Sequence, residues 1–462
     1  MNELSLEAFN PILSPNLVVY RNILEDPALE MLREIIESAL KDESTPGIYH
    51  YITCALRKAA SKYHEFLGLL VKEGEIEGEI VTGNLWKDHL LNLMLFDENP
   101  FSLNCEKRGL SGVGSNLKAL VERDLMELKR LYDFNFDNLT EFLKEKGPDL
   151  DIRAFPSDYH ITKDSSNKER EFYFTQRQIL KQKLDKSRDW SENLEDLAVF
   201  YNKFGCGKFG RYWGFILDET PDGIRLEGVS ELDPVRLSDL VGYESQKKEV
   251  LENTRQFVKG YPANNMLLYG DRGTGKSSTI KALIHEFGKE GLRLIEVPKF
   301  QLIYLRQIIT WLKKRPQRFI IFIDDLSFEE HETEYKYLKA MLEGSLEAPP
   351  ENVLIYATSN RRHLIREFHS DAAGDEIKAR DTVQEKLSLS DRFGITVIFP
   401  SPDQEEYLNI VKGIAKSKGI DIEPAKLREL ALRWELWNNQ RSGRTARQFV
   451  DDLLGKISAG NI

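Results

Sequence analysis

The sequence predicts an α/β protein: a parallel sheet flanked by helices and followed by a helical lid, preceded by a mostly helical N-terminal region. Three observations predict it. Gly270-Asp271-Arg272-Gly273-Thr274-Gly275-Lys276-Ser277-Ser278 stands between a short apolar run and an amphipathic one. Downstream of it, apolar runs of strand length alternate with stretches of helical period. Upstream, residues 1–205 carry mainly helical periodicity.

In chain order, residues 17–101 read as helices. Pro27 to Ile36 is amphipathic, with Asp26 as its N-cap. Ile52-Thr53-Cys54-Ala55-Leu56 begins another helix, and residues 86–96 give a third. A charged helical stretch covers 116–131, and residues 149–167 are polar and loop-like. Residues 168–186 carry many Lys and Arg, with Tyr173 and Phe174 among them. Such a segment is ordinarily a solvated helix face, and nucleic-acid binding is its functional alternative. Tyr212-Trp213-Gly214-Phe215-Ile216-Leu217, the turn Pro221-Asp222-Gly223 and Ile224-Arg225-Leu226 read as a β-hairpin. The expected division is a helical region over 1–205 and a hairpin linker over 206–235.

Residues 237–248 open the next module, with a helix from Ser245 to Phe257. Met266-Leu267-Leu268-Tyr269 is a strand, the glycine-rich loop follows, and Thr279 to Phe287 has helical spacing. Strand, loop, helix is the order that the phosphate-binding pattern G-x-x-x-x-G-K-[ST] requires. Glycines at 270, 273 and 275 let the backbone turn with φ > 0. The loop N–H groups then point inward at phosphate oxygens, aided by the positive end of the following helix. Lys276 is placed to reach β- and γ-phosphates, and the Ser277 hydroxyl to bind Mg²⁺. ATP and Mg²⁺ are therefore the expected cofactors. Further strands are expected over 292–297, 318–323, 353–358 and 395–399, with a helix over 302–312. The run after Arg318 has no polar interruption, as a central parallel strand requires. Pro400, Ser401 and Pro402 mark a boundary, and helices are expected over 404–416, 424–434 and 445–457. The α/β nucleotide-binding domain thus spans 236–400 and the lid 401–462.

Composition narrows the classes. A chain of 462 residues, 41% hydrophobic and 30% charged, suits two or three globular domains with a sizeable core. A net charge of −11 argues against bulk electrostatic capture of nucleic acid. Cys54, Cys105 and Cys206 lie far apart with no C-x-x-C pair, which points to a reducing compartment and to neither a disulfide framework nor a zinc site. No signal-peptide pattern and no membrane-length apolar run are seen, so a cytoplasmic protein without membrane contact is expected.

With these motifs in order, residues 236–462 resemble the AAA+ class of P-loop ATPases. Within it, the wording of 270–278, 322–329 and 387–394 looks most like a bacterial AAA+ ATP-binding family classed as a domain of unknown function. The resemblance implies roles for further residues. Asp324, at the end of an apolar strand, is similar to the Walker B acid and would hold Mg²⁺. Asp325 stands where most AAA+ proteins place a Glu that polarises the attacking water, and it is one methylene shorter. Glu329 is the alternative base. Asn360, in Thr358-Ser359-Asn360, is similar to the sensor-1 position. Arg392, in Leu387-Ser388-Leu389-Ser390-Asp391-Arg392-Phe393-Gly394, resembles an arginine finger acting on a neighbouring subunit. Arg444 looks like sensor 2, with Arg447 as its alternative.

The implied function is a Mg²⁺-dependent ATPase, a homo-oligomer that remodels a protein partner recruited through the N-terminal region. The alternative is a slow nucleotide-dependent switch or loader on DNA. The acidic balance favours the first, and the basic segment at 168–186 favours the second.

Overall fold

The computed structural model describes residues 3–40, 49–77, 80–156, 158–160, 170–221, 223–328, 334–343, 350–360 and 389–459. Asp222, Glu329, Leu387 and Ser388 lie outside these, as do the side chains of Tyr173 and Phe174. The chain divides into two compact units, Met1–Arg211 and Tyr212–Ile462.

The first unit is built of helices among its described residues: α1 (Glu3–Leu13), α2 (Pro27–Leu40), α3 (Tyr49–Glu77), α4 (Leu85–Phe96), α5 (Pro100–Arg108), α6 (Ser115–Tyr132), α7 (Phe136–Lys146), α8 (Arg170–Lys186), α9 (Leu194–Phe204) and α10 (Gly207–Arg211). Asp26 caps α2 as expected, its Oδ1 accepting from the Ala28 and Leu29 N–H groups at 3.0 and 3.1 Å. Such a cap is worth about 1 kcal/mol. Aromatic side chains fill the core, with Tyr20, Tyr63, Phe66, Trp86, Phe101 and Trp190 fully buried. The described part of the basic stretch, Arg170–Lys186, is the helix α8, but not a uniformly solvated one. Arg177 and Lys181 are buried, and the Lys181 ammonium donates to Asp88 at 3.0 Å. Lys183 pairs with Asp196 at 2.6 Å.

The second unit holds β1 (Gly214–Thr220), β2 (Gly223–Val229), α11 (Glu244–Val258), β3 (Met266–Gly270), α12 (Lys276–Phe287), β4 (Leu292–Glu296), α13 (Leu305–Leu312), β5 (Arg318–Ile323), α14 (Tyr335–Glu343), β6 (Val353–Ser359) and β7 (Ile395–Phe399). The lid follows as α15 (Gln404–Ser417), α16 (Pro424–Asn438) and α17 (Gly443–Ser458). One seven-stranded sheet runs in the order β2-β1-β4-β5-β6-β3-β7. Every neighbouring pair is parallel except β1 with β2. The hairpin expected as a linker is therefore part of the sheet. Phe215 of β1 pairs with Ile295 of β4, because Phe215 and Leu217 must bury their side chains and the β4 edge accepts them. The helix expected over 302–312 begins as a 3₁₀ turn, Lys299–Tyr304, and becomes α-helical only at Leu305.

β5 and β6 lie at the centre and are buried along almost their whole length, as the mostly apolar sequences Phe319–Ile323 and Val353–Ala357 require. Met266, Leu268, Ile280, Leu283, Ile320, Phe322 and Val397 join one core between the sheet and α12. The lid has its own core around Tyr407, Val411, Leu427, Phe449 and Val450. Asp403 and Glu406 form a capping box that starts α15, and Ser442 caps α17 by accepting from the Thr445 N–H at 3.1 Å.

Candidate active site: a phosphate loop facing two acids and the lid

β3 ends at Gly270, and α12 starts at Lys276. The loop between them turns on glycines with φ of 146° at Gly270, 78° at Gly273 and 94° at Gly275. At Gly270 a side chain is impossible, since its Cβ would lie 1.9 Å from the Phe399 carbonyl oxygen of β7. At Gly273 it would meet the lid: Ser442 Oγ at 2.8 Å and Arg444 Cβ at 3.0 Å. The lid is strapped to this loop by its backbone. Arg444 N–H donates to the Gly273 carbonyl at 3.1 Å, and the Gln440 amide donates to the Arg272 carbonyl at 3.3 Å.

Lys276 is 5% exposed. Its ammonium donates to the Gly270 and Asp271 carbonyls at 2.8 and 2.6 Å, and to Asn360 Oδ1 at 3.2 Å. Burial pushes its pKa below the ordinary lysine value, and the nearby Asp271 and Asp324 charges oppose that shift.

Across the cleft, Asp324 stands just past the end of β5. Its Oδ1 accepts from Ser277 Oγ at 2.6 Å, from Thr358 Oγ1 at 2.5 Å and from the Asp325 N–H at 3.1 Å. Asp325 sits in the left-handed region with φ of 50°, a conformation that Asp tolerates better than most side chains. Its Oδ1 accepts from Asn360 Nδ2 at 2.5 Å. Asn360 therefore touches both Lys276 and Asp325. A carboxylate and a hydroxyl held together, with room beside them, suit a hard cation that keeps water and phosphate ligands. No group of three or more His, Cys, Asp or Glu that could hold a metal ion occurs among the described residues.

These groups line one cleft of about 500 Å³. Of the residues singled out from sequence, Arg272, Gly273, Thr274, Gly275, Lys276, Ser277, Ser278, Asp324, Asp325, Asn360, Arg444 and Arg447 line it. Both arginines offered for the sensor-2 position thus reach the cleft. Gly270 and Asp271 do not line it. Their carbonyls hold Lys276, and the Asp271 carboxylate accepts from Ser401. Arg392 does not line it either. It ends a 3₁₀ turn, Ser390–Arg392, just before β7.

The sequence reading missed the apolar end of the cleft, formed by Leu240, Val241, Tyr243, Ile410 and Ile414. This end could take a flat heterocycle. Gly242 and Tyr243 both have positive φ, 86° and 58°, and turn the chain so that its backbone borders the cleft. A signal existed: Ile410 and Ile414 sit at i and i+4 on α15, one face of a helix. Thr358 was also missed as a partner of both acids.

The family model described as "Protein of unknown function (DUF815)" matches residues 210–457. A replication factor C large subunit of Staphylothermus marinus is 33% identical over 245 residues, covering 51% of this chain and 51% of that protein. The same subunit of Thermofilum pendens is 40% identical over 62 residues, 13% of this chain and 15% of that one. The chain thus spans about half or less of the length of these curated relatives. Among solved structures, the RuvB Holliday junction branch migration motor of Thermotoga maritima aligns at 19% identity with a TM-score of 0.34, over 49% of this chain and 66% of that one.

Proposed function

The chain belongs to the DUF815 family, and from that premise we propose that it is an AAA+ P-loop ATPase that hydrolyses ATP to ADP and phosphate with Mg²⁺. One observation carries the proposal. Lys276, Ser277, Asp324, Asp325 and Asn360, from the start of α12 and the ends of β5 and β6, converge in one hydrogen-bonded cluster beside the glycine loop.

The loop N–H groups and Lys276 bind the phosphates, Lys276 leaving its carbonyl partners to do so. Ser277 and Asp324 would hold Mg²⁺, which neutralises charge on the β- and γ-phosphates. Asp325 orients the attacking water and takes its proton, while Asn360 fixes the carboxylate that does so. Its short side chain makes for slower turnover than a Glu, which reaches one methylene further. Glu329, the alternative base, lies outside the described residues. Arg444, or Arg447 one turn on, contacts the γ-phosphate from the lid. Arg392, away from its own cleft, acts on that of a neighbouring copy, which makes the active form a head-to-tail oligomer.

The work driven is remodelling of a protein partner, recruited through the N-terminal unit. The net charge of −11 supports this, and so does the inward use of the basic helix, where Arg177 and Lys181 are buried. A loader or switch on DNA is the second reading, favoured by the likeness to a replication factor subunit. Phosphate release with and without duplex DNA separates the two. Strong stimulation by DNA would overturn the protein-directed reading. Affinity capture with Asp325→Asn, which holds ATP without turnover, should retain a protein partner in an ATP-dependent way.

A further inference from the structure

We propose that Thr358 is a positioning residue for ATP hydrolysis, its one hydroxyl joining the metal-side Asp324 to the water-side Asp325; this rests on the nucleotide reading above. Thr358 lies near the end of β6, is 1% exposed and stands opposite Leu268 of β3, two residues before the glycine loop. Its Oγ1 donates to Asp324 Oδ1 at 2.5 Å and accepts from the Asp325 N–H at 3.0 Å. A hydroxyl has one proton to give, and here it goes to one acid while the lone pairs hold the backbone of the other.

The same residue acts a second time through its main chain. The Thr358 carbonyl accepts from the Leu326 N–H at 2.7 Å. Consecutive N–H groups, at 325 and 326, are therefore pinned to one residue of the neighbouring strand. Between them Asp325 holds its φ of 50°. A left-handed non-glycine residue persists only where its surroundings over-determine it. Thr358 supplies much of that constraint, and β-branching stiffens the rotamer that presents its hydroxyl. Ser277 approaches the same Asp324 oxygen from the loop side, so Thr358 and Ser277 together set the carboxylate's rotation.

Valine keeps the shape and removes the hydroxyl. In Thr358→Val, Asp325 loses one holder of its backbone, and Asp324 loses one of three donors. The phosphate loop and Lys276 are untouched. The expected result is a fall in kcat of about 10–100-fold, the usual scale for groups that orient metal ligands, with the KM for ATP at saturating Mg²⁺ changed little. Calorimetric ATP binding should weaken about tenfold at limiting Mg²⁺ and stay near wild type at saturating Mg²⁺. Thr358→Ser, which restores the hydroxyl but not the methyl, should recover most of both. Should the valine variant fail to fold, as judged by its thermal melt, Thr358→Ala carries the same test. Normal kcat and normal Mg²⁺ dependence in the folded hydroxyl-free variant would overturn the inference. So would a serine variant as impaired as valine, since shape rather than the hydroxyl would then matter. Wild-type protein is titrated first. Failure to bind ATP at all would refute the nucleotide reading itself, whereas binding with turnover indifferent to Thr358 refutes only this step.

Discussion

Lys276 donates to two loop carbonyls and to Asn360. These bonds already carry the ammonium's charge, so phosphate binding would exchange neutral acceptors for anionic ones. Its lowered pKa gives a signed prediction. ATP affinity should begin to fall at a lower pH than an ordinary lysine would allow, and ATP binding in the alkaline range should take up protons. Calorimetry in two buffers of different ionisation enthalpy reads that uptake directly. At Asp325 the expectation is different. Asp325→Asn keeps the shape and removes the base, so ATP should stay bound while phosphate release stops. Release at the original rate would transfer the role to Glu329.

Elements carry the site because their ends meet. The ends of β5 and β6 and the start of α12 place Asp324, Asn360 and Lys276 within bonding distance of one another's partners. The sequence singled out each of these residues, Lys276 through the phosphate-loop pattern and Asp324 and Asn360 through the family resemblance. Three features were not legible in it. The hairpin's membership of the sheet depends on β1 pairing with β4, a contact between segments far apart in sequence that periodicity does not encode. The apolar end of the cleft combines the turn at Gly242 with a lid helix, again a tertiary juxtaposition. Thr358 reads as one more β-branched strand residue until its hydroxyl is seen between two acids. Lid docking yields a further prediction. Gly273→Val adds a side chain where Ser442 Oγ and Arg444 Cβ already stand, at a φ that valine rarely adopts. It should weaken ATP binding by at least tenfold and lower the melting temperature of the second unit.

The first unit has its own pH signature at this scale. His89 on α4 bonds Asp26 at the start of α2 and Glu73 on α3, at 2.9 and 2.6 Å. Burial alone would push its pKa down, but the bonds to Asp26 and Glu73 outweigh burial and lift it from 6.5 to about 9. A raised folded-state pKa stabilises fully below the unfolded value and is lost as pH rises through the folded one. This linkage, on the order of 3 kcal/mol at most, should therefore fade between about pH 6.5 and 9. Urea midpoints of wild type and His89→Gln, followed across that window, should converge as pH rises.

At the scale of the whole molecule, the open question is whether one copy is enough. Arg392 lies outside the cleft of its own chain, so a finger role requires a second copy to supply it. Turnover per subunit should rise with protein concentration. Lys276→Ala and Arg392→Ala proteins, each inactive alone, should regain activity when mixed, since an intact loop in one can then face an intact Arg392 in the other. A finger contributes about a thousandfold or more in rate, so partial rescue is visible. A monomer with full, concentration-independent activity would return Arg392 to a structural role.

The central claim is that the cleft beside Gly270–Ser278 is a nucleotide site whose affinity depends on one buried ammonium. Calorimetric titration of Mg²⁺·ATP into the full chain and into Lys276→Ala tests it most directly. The account predicts saturable one-to-one binding by the wild type and a loss of at least a hundredfold in the variant, about 3 kcal/mol of charge-assisted contact. Equal affinity in the two proteins, or no binding by the wild type, would contradict it.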